Sequence, residues 1–355
     1  MLKDLLLEAF SKIIVPEFDQ DVVKLGWVRN IEILNQKAQI DLVLPTFALK
    51  SERTCATAIK QAALLTVPTG THVDLNVFAE VLPAVDQSLN KEGIANVKNI
   101  ILVLSGKGGV GKSTVASNLA LSLSGMGCRV GLLDADVYGP SIPTLFGIPK
   151  DVEVLGIAKE GSTENYMIPL EAKGIKLMSI GFLVDTASAM IWRGPMIASA
   201  SMQMFYNVAW GDLDYLIVDM PPGTGDIHLT ISQKVNVAGA LIVSTPQELA
   251  LADVIRAKAM LDKVNIPTFG LVENMSYFVC DACDKRHEIF SHGGATSLAK
   301  RLEIPSLAEL PLNSNLGPQE APYQELAHEL AARVAMAALA RPAPKKEKIR
   351  LNILA

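Results

Sequence analysis

The pattern of apolar and polar positions divides the chain into two parts of different texture. In the first eighty residues, apolar positions at helical spacing predict helices over residues 2–14 and 52–66. β-Prone runs predict strands over residues 27–34, 38–44 and 71–78, and the last of these alternates strictly between apolar and polar residues. The order helix, strand, strand, helix, strand predicts a small N-terminal α+β domain.

From residue 99 onward, short and wholly apolar runs alternate with helical patterns. Such runs suit parallel strands that are buried on both faces, and the alternation is typical of βαβ units. We therefore predict an α/β domain with a mostly parallel sheet flanked by helices, with strands at Ile100–Leu104, Arg129–Leu133, Tyr215–Val218, Ala240–Val243 and Phe269–Val272. The predicted organisation is a small domain over 1–82, a linker over 83–98, the α/β domain over 99–340 and a flexible tail over 341–355.

Composition and charge exclude several classes of function. The 355 residues carry a net charge of −5, whereas a nucleic-acid-binding protein would present a basic surface. No run of about 18 apolar residues predicts a membrane span, and the N-terminus lacks the cleavage site of a signal peptide. A secreted disulfide scaffold would be shorter and richer in cysteine than this chain, which has four cysteines. We therefore expect a cytoplasmic protein that binds no nucleic acid and has no membrane span.

The segment from Gly106 to Ser113 matches the Walker A pattern Gly-x-x-x-x-Gly-Lys-Ser, and it lies between a predicted strand and a predicted helix. Glycines allow successive backbone N–H groups to face one anion, and the helix N-terminus adds a positive partial charge. We expect Lys112 to reach the β- and γ-phosphates of ATP and the Ser113 hydroxyl to bind Mg²⁺. The predicted nucleotide-binding residues of this loop are Gly106, Lys107, Gly108, Gly109, Val110, Gly111, Lys112, Ser113 and Thr114.

Three aspartates follow predicted strands of the α/β domain. Asp134 and Asp136 come after Arg129–Leu133, and Asp219 comes directly after Tyr215–Val218. Each one taken singly is more often a helix cap or a turn residue. In this order after a Walker A loop they indicate a nucleotide site, because ligand-binding residues of such sheets lie at the carboxyl ends of the strands. Asp219 has the position of a Walker B acid, which acts on Mg²⁺ through water.

Lys107, directly after the first glycine, is not required by an ordinary phosphate loop. A second cation at this position could bind the same nucleotide or a nucleotide held by a facing subunit, and the alternative is a solvated surface lysine. With Lys107 included, the segment Lys107–Ser113 resembles the signature of the deviant-Walker ATPases, the group that includes MinD, ParA and the nitrogenase iron protein. The resemblance implies an ATP-dependent homodimer in which Lys107 reaches across to the nucleotide of the partner.

The same resemblance implies roles for residues outside the loop. It implies that Asp136 positions the attacking water, that Asp134 supports the Mg²⁺ site, and that Asn274, after the strand Phe269–Val272, binds adenine. The implied catalytic residues are thus Lys107, Lys112 and Asp136, and the implied Mg²⁺ residues are Ser113, Asp134 and Asp219.

Cys280 and Cys283 form a C-x-x-C pair, which supplies half of a four-coordinate metal site. A second copy of the chain, with its own pair, would complete an iron–sulfur site. His287 and His292 would instead complete a zinc site within one chain, although the spacing is shorter than that of zinc fingers. A redox dithiol or a pair without a ligand are the other interpretations. The remaining two cysteines, Cys55 and Cys128, are expected to be buried thiols.

Several segments resemble the Mrp (ApbC-type) iron–sulfur cluster carriers, and they span residues 99–335. These segments are Asp134–Ser141, Trp192–Met196, Asp219–Asp226 and Val272–Cys283. The resemblance implies a slow ATPase whose homodimer holds a [4Fe-4S] cluster on both cysteines of each protomer. It implies that the cluster passes from scaffold proteins to apo iron–sulfur proteins under the control of ATP.

The N-terminal domain also resembles a small domain of iron–sulfur assembly factors. The likeness is carried by Val15–Glu17 and Leu25–Val28. Many members have Ala-Cys-Pro after the second strand, where this chain has Phe47-Ala48-Leu49.

Two other functions compete with a cluster carrier. The first is a positioning or partitioning ATPase of the MinD/ParA kind, which would bind a membrane or DNA. The C-terminal segment 345–355 is short and lacks aromatic residues, and the net negative charge opposes DNA binding. The second is a scaffold that binds nucleotide without turnover, and Lys112, Asp136 and Asp219 argue against it.

Overall fold

The N-terminal part of the chain forms a small α+β unit. The computed structural model describes residues 2–85, 94, 96–137, 139–149, 152–158, 165–183, 194–290, 293–313 and 316–341. The elements of the N-terminal unit are α1 (Leu2–Phe10), β1 (Ile14–Val15), β2 (Gln20–Asp21), β3 (Val28–Leu34), β4 (Lys37–Leu44), α2 (Glu52–Thr66) and β5 (His72–Ala79). Strand β4 lies between β3, its antiparallel partner, and β5, which runs parallel to it.

The predicted helices and strands of this unit are confirmed, with one difference at the first helix. The helix predicted over residues 2–14 ends at Phe10. Ile14 and Val15 instead form β1, which pairs with β2, and the Val22 N–H donates to the carbonyl of Ile13. These β-branched residues favour an extended backbone over a further helical turn.

The rest of the chain forms the α/β unit. Its strands are β6 (Val97–Leu104), β7 (Val130–Asp134), β8 (Gly156–Ala158), β9 (Asn165–Met167), β10 (Leu170–Ala172), β11 (Ile175–Ser179), β12 (Leu213–Asp219), β13 (Gly239–Ser244), β14 (Thr268–Glu273), β15 (Phe278–Val279), β16 (Arg286–His287) and β17 (Ser306–Glu309). Its helices are α3 (Lys112–Gly125), α4 (Ile142–Phe146), α5 (Gly194–Tyr206), α6 (Asp226–Lys234), α7 (Glu248–Lys263), α8 (Gly294–Arg301) and α9 (Ala321–Leu339), with a short 3₁₀ turn at Ile180–Phe182.

An eight-stranded sheet organises this unit, in the order β10-β11-β7-β12-β6-β13-β14-β17. All neighbours are parallel except the edge pair β10 and β11. The mostly parallel sheet predicted from the apolar runs is therefore confirmed. Because the strands are parallel, the loops that follow β6, β7, β12 and β14 meet at one edge of the sheet.

Helices cover both faces of the sheet. Along β6, Ile101 and Val103 pack in the layer of α3 and α9, while Ile100, Leu102 and Leu104 pack in the layer of α5, α6, α7 and α8. Alternate side chains of a strand point to opposite faces, so a strand between two helical layers must be apolar at every position. That requirement explains the continuous apolar run that made β6 recognisable.

Strand β6 begins at Val97, inside the segment 83–98 that the sequence predicted as a linker. Val97 is buried, and Lys98 forms an ion pair with Asp214 on β12 at 3.0 Å. Neighbouring strands thus extend β6 by three residues beyond the strand predicted at Ile100–Leu104. Residues 86–93 and 95 of the predicted linker and 342–355 of the predicted tail lie outside the described residues.

Helix α9 joins the two units. Its Ala332 belongs to the core of the N-terminal unit, whereas most of its other buried residues, among them Leu326, Leu330 and Val334, pack on the sheet. At the same contact, the His328 ring donates from Nδ1 to the Ala48 carbonyl at 2.9 Å, and Lys50 forms an ion pair with Glu325 at 2.8 Å. Helix α9 therefore fixes the small unit against the α/β unit.

Candidate functional site

The phosphate loop connects β6 to α3 and borders an open cavity. Gly109 and Gly111 have φ angles of 80° and 78°, in the left-handed region that favours glycine. Gly111 is also the residue before the first turn of α3, so the backbone N–H groups at the helix start face the loop. The cavity has a volume of about 250 Å³ and is lined by Ser105, Gly108, Gly109, Val110, Gly111, Lys112, Ser113, Thr114, Asp136, Ser141, Leu145 and Pro222. This arrangement is an anion cradle of the kind that the Walker A pattern predicts.

Lys112 and Asp219 form a buried ion pair beside the loop. The Lys112 ammonium lies 2.5 Å from one carboxylate oxygen of Asp219, and both side chains are almost inaccessible to solvent. Burial raises the pKa of Asp219, while the Lys112 charge and a hydrogen bond with Ser113 oppose that rise. The second carboxylate oxygen of Asp219 is buried with no hydrogen-bond partner among the described residues. An orphaned carboxylate oxygen next to a serine hydroxyl is a donor set that suits Mg²⁺.

Asp134 is buried completely and acts on its neighbours through hydrogen bonds. One oxygen accepts the backbone N–H of Asp136 at 3.2 Å, and the other accepts the Ile142 N–H at 3.1 Å and the Ser179 hydroxyl at 3.0 Å. Burial, with a smaller contribution from the nearby Asp219 charge, raises the pKa of Asp134 to about 7. Asp134 thus fixes the backbone that carries Asp136, a residue that is 9% exposed and lines the cavity.

Lys107 and Gly106 lie outside the cavity wall, at the side of α7. The Lys107 ammonium donates to the side-chain carbonyl of Gln247 at 3.3 Å, directly before α7 begins. A Cβ added at Gly106 would overlap the backbone and side chain of Asp253 on α7. The first glycine of the motif is therefore required by close helix packing, and Lys107 is half-buried against its own chain.

Asn274 follows β14 and lies under the phosphate loop. Its side-chain amide donates to the Val110 carbonyl at 2.9 Å, and its backbone N–H donates to Ser244 at 2.8 Å. A Cβ added at Gly111 would overlap the Asn274 amide nitrogen. The structure therefore places Asn274 against the backbone of the phosphate loop, a contact that the sequence did not predict. Its predicted role in binding adenine stays a prediction.

The two cysteines occupy the turn of a short hairpin formed by β15 and β16, which we call the cysteine hairpin (residues 278–287). The Cys280 N–H donates to Lys285 at 3.0 Å, and the Asp284 N–H donates to Cys280 at 2.8 Å. Cys283 is exposed and Cys280 is half-buried. The Ala282 N–H, followed by Cys283, lowers the pKa of the Cys280 thiol, which favours the thiolate that binds metals.

The hairpin supplies only two thiols to a site. Among the residues that the structure describes, no three His, Cys, Asp or Glu side chains converge as a metal-binding group. His287 is exposed on β16 and does not complete such a group, while His292 lies outside the described residues. The motif residues Tyr138, Trp192 and Arg193 lie outside them as well. Cys55 and Cys128 are buried, as expected, and burial raises the pKa of Cys128 to about 11.

Three site residues have no signal in the sequence. Ser179 reaches Asp134 from β11, Gln247 holds Lys107, and His228 on α6 is buried with its Nε2 3.0 Å from the Pro221 carbonyl. Ser179 and Gln247 are far from their partners along the chain. His228 is of a residue type common in any helix. Their positions become visible only when the strand ends meet at one edge of the sheet.

Within the described part of the chain, no helix is both long enough and apolar enough to cross a membrane.

Two family models match the chain. One, described as an NUBPL iron-transfer P-loop NTPase, matches residues 96–341. The other, described as an iron–sulfur cluster assembly protein, matches residues 3–75.

Individual proteins are similar over most of the chain. An iron–sulfur cluster carrier protein of Synechocystis is 39% identical over 346 residues, which cover 95% of this chain and 96% of that protein. One of Haemophilus influenzae is 42% identical over 301 residues, which cover 84% and 78%. A solved structure, the nucleotide-binding protein of Archaeoglobus fulgidus in complex with ADP and with cobalt found in it, is 40% identical. It covers 68% of this chain and 88% of its own, with a TM-score of 0.53.

Proposed function

The chain belongs to the NUBPL-type iron-transfer P-loop NTPases, and from that premise we propose that it is an ATP-dependent carrier of [4Fe-4S] clusters. In this proposal two copies of the chain hold one cluster on Cys280 and Cys283 of each copy. The cluster is cargo, received from scaffold proteins and delivered to apo iron–sulfur proteins in the cytoplasm. The observation that carries the proposal is an exposed hairpin that presents two thiols, one of them with a lowered pKa, and no further ligand among the described residues.

The residues around the phosphate loop support ATP binding and hydrolysis. The backbone N–H groups of the loop bind the phosphates, and Lys112 exchanges its partner Asp219 for phosphate oxygens. Ser113 and the unpaired oxygen of Asp219 would hold Mg²⁺, which neutralises the charge of the phosphates when bound. Asp136 orients the attacking water, and Asp134 supports the Mg²⁺ site and holds the backbone of Asp136 in place. We expect slow turnover.

A homodimer brings together the two halves of the proposal. Lys107 would leave Gln247, which it contacts by a single hydrogen bond of 3.3 Å, and bind the phosphates held by the partner. Exchange of one such bond for charge-assisted bonds to phosphate is favourable. The same association would bring two cysteine hairpins to one cluster, since four thiolates are the usual ligand set of a [4Fe-4S] cluster.

Metal analysis tests this proposal. The chain is purified without oxygen, reconstituted with iron and sulfide, and assayed for iron, sulfide and zinc. We expect about four irons per two chains, loss of that iron in Cys280→Ala, and retention of it in Cys55→Ala, a matched change at a buried cysteine. Zinc at one ion per chain with full retention in Cys280→Ala would contradict the proposal. Zinc lost in that variant would favour the single-chain zinc site instead.

A further inference from the structure

Four residues connect the phosphate loop to the cysteine hairpin, and we call the segment Asn274–Tyr277 the strut. It begins at the end of β14, under the loop, and ends one residue before β15 begins. Cys280 is six residues beyond Asn274, which corresponds to about 20 Å of fully extended chain. The nucleotide site and the thiols are therefore joined by one short covalent path.

The first end of the strut holds a peptide unit that also faces the cavity. The Asn274 amide donates to the carbonyl of Val110 at 2.9 Å. In a planar trans peptide the N–H points opposite to the C=O, so the N–H of Gly111 is aimed away from Asn274. Gly111 lines the cavity. A phosphate oxygen that accepts a hydrogen bond from this N–H therefore acts on the same rigid peptide unit that Asn274 holds.

The contact has little free space. Asn274 is 8% exposed, and its amide occupies the position that a Cβ on Gly111 would take. Packed interiors transmit a displacement because few voids can absorb it. A rotation of the Val110–Gly111 peptide must therefore move the Asn274 side chain or break its hydrogen bond.

The rest of the strut is tied at several points. Ser276 donates its hydroxyl to the buried carboxylate of Glu273 at 2.6 Å and its N–H to Leu310 at 2.9 Å. The second oxygen of Glu273 accepts the Ala295 N–H at the start of α8, at 2.9 Å. Met275 has a φ of 55°, a left-handed conformation that is uncommon for a residue with a side chain. These bonds hold the segment in one shape, so that a displacement at one end is transmitted along it instead of being absorbed.

The far end of the strut contacts the cysteine hairpin. The ring of Tyr277 is covered by the Arg286 guanidinium, whose carbon lies 3.8 Å from the ring centroid. Arg286 is paired with Val279 in the hairpin, directly before Cys280. Tyr277 is also fixed by the Leu312 N–H, which donates to its carbonyl at 2.6 Å.

We infer that the strut is the element that reports occupancy of the phosphate loop by a nucleoside triphosphate to the thiols of Cys280 and Cys283. Asn274 is a positioning residue in this inference, since its amide acts through the loop backbone. The inference rests on the proposed function in taking ATP as the ligand of the loop, and it gives that function a route by which ATP controls the cargo site.

Thiol alkylation in the metal-free full chain tests the inference without any cluster. The rate of modification of Cys280 and Cys283 by iodoacetamide is followed by mass spectrometry, with and without Mg²⁺ and the β,γ-imido analogue of ATP. We expect the analogue to change the rate at the hairpin by about fivefold or more in the wild-type chain, which is typical of coupling between two sites. In Asn274→Ala, measured at concentrations of the analogue that saturate its site, we expect the alkylation rate to be the same with and without the analogue.

Two further variants make the result decisive. Ser124→Ala removes a hydroxyl that donates to the Gly174 carbonyl, remote from the strut, and should keep the wild-type response. Ser276→Ala removes the bond to Glu273 and leaves the loop intact. If Asn274→Ala does not bind the analogue, Ser276→Ala takes its place and is expected to lose the change in the alkylation rate. A wild-type rate that ignores the analogue would overturn the inference, as would a full response in Asn274→Ala. Neither result depends on iron content, so the proposed cluster function fails or stands separately by metal analysis.

Discussion

Replacing Gly111 with alanine should lower the free energy of unfolding and the nucleotide affinity more than the same change at Gly108 or Gly109. The three glycines differ in the two properties that an added Cβ tests. Gly108 has neither a positive φ nor an atom within 4 Å of the added carbon. Gly109 has a φ of 80° with open space, and Gly111 has a φ of 78° with the Asn274 amide in the way. The series therefore separates backbone strain from overlap.

The expected magnitudes follow from these differences. A left-handed residue with a Cβ costs about 1–2 kcal/mol. Alanine offsets part of this cost, because a less flexible unfolded chain stabilises the folded state by about 0.4–1 kcal/mol. The free energy of unfolding should thus fall by about 1 kcal/mol in Gly109→Ala. Gly111→Ala must also displace Asn274 from its hydrogen bond with Val110, which adds about 1–3 kcal/mol if the buried amide is left unpaired. The expected total is about 2–4 kcal/mol, against little change in Gly108→Ala.

Urea denaturation of the three variants measures the free energy of unfolding, and titration with a fluorescent ATP analogue measures nucleotide affinity in the same samples. We expect both stability and affinity to rank as Gly108→Ala, Gly109→Ala and Gly111→Ala, from highest to lowest. Equal losses in Gly109→Ala and Gly111→Ala would show that Asn274 does not pack on the loop as described. That result would also remove the contact on which the strut depends.

Three other predictions concern single groups of the site. Lys112→Ala should lower kcat for ATP by about a hundredfold or more, because the donor aimed at the phosphates is lost, and unchanged turnover in a phosphate-release assay would refute its role. Asp134 has a raised pKa of about 7, so the folded state keeps a proton that the unfolded state releases above about pH 4, and stability should fall as the pH rises from 4 to 7, by up to about 4 kcal/mol. Urea denaturation at both ends of that range should show a smaller fall in Asp134→Asn, and an identical fall would contradict the buried ionisable carboxyl. Iodoacetamide at pH 8 should label the two cysteines of the hairpin and spare Cys55 and Cys128, whose thiols are buried and have raised pKa values; rapid labelling of all four in the native chain would refute that burial.

The parts of the fold that were predictable from the sequence are those with local signals. Strands buried on both faces read as apolar runs, and the phosphate loop reads as a spacing of glycines. The helix Glu52–Thr66 was predicted at its observed bounds. Short edge strands such as β10 and the pair β15–β16 were missed, because two or three residues carry no measurable period.

The chemistry of the site was predictable only in part, because it depends on partners that are distant along the chain. The aspartates were recognisable at the ends of strands. Both oxygens of Asp134 accept hydrogen bonds from protein donors, one of which is Ser179 on another strand. This arrangement exists only in the folded sheet. The contact of Asn274 with Val110 joins residues 164 positions apart, and no motif of either segment announces it.

Native mass spectrometry of the reconstituted chain tests the central claim most directly, because it weighs the metal and the protein in one species. The account predicts that the iron-bearing species is a dimer that carries one cluster of four irons, and that Cys283→Ala yields monomers without iron while retaining binding of ATP. A monomer that carries its own metal, or a dimer that keeps four irons after loss of Cys283, would contradict the claim that two cysteine hairpins share one cluster.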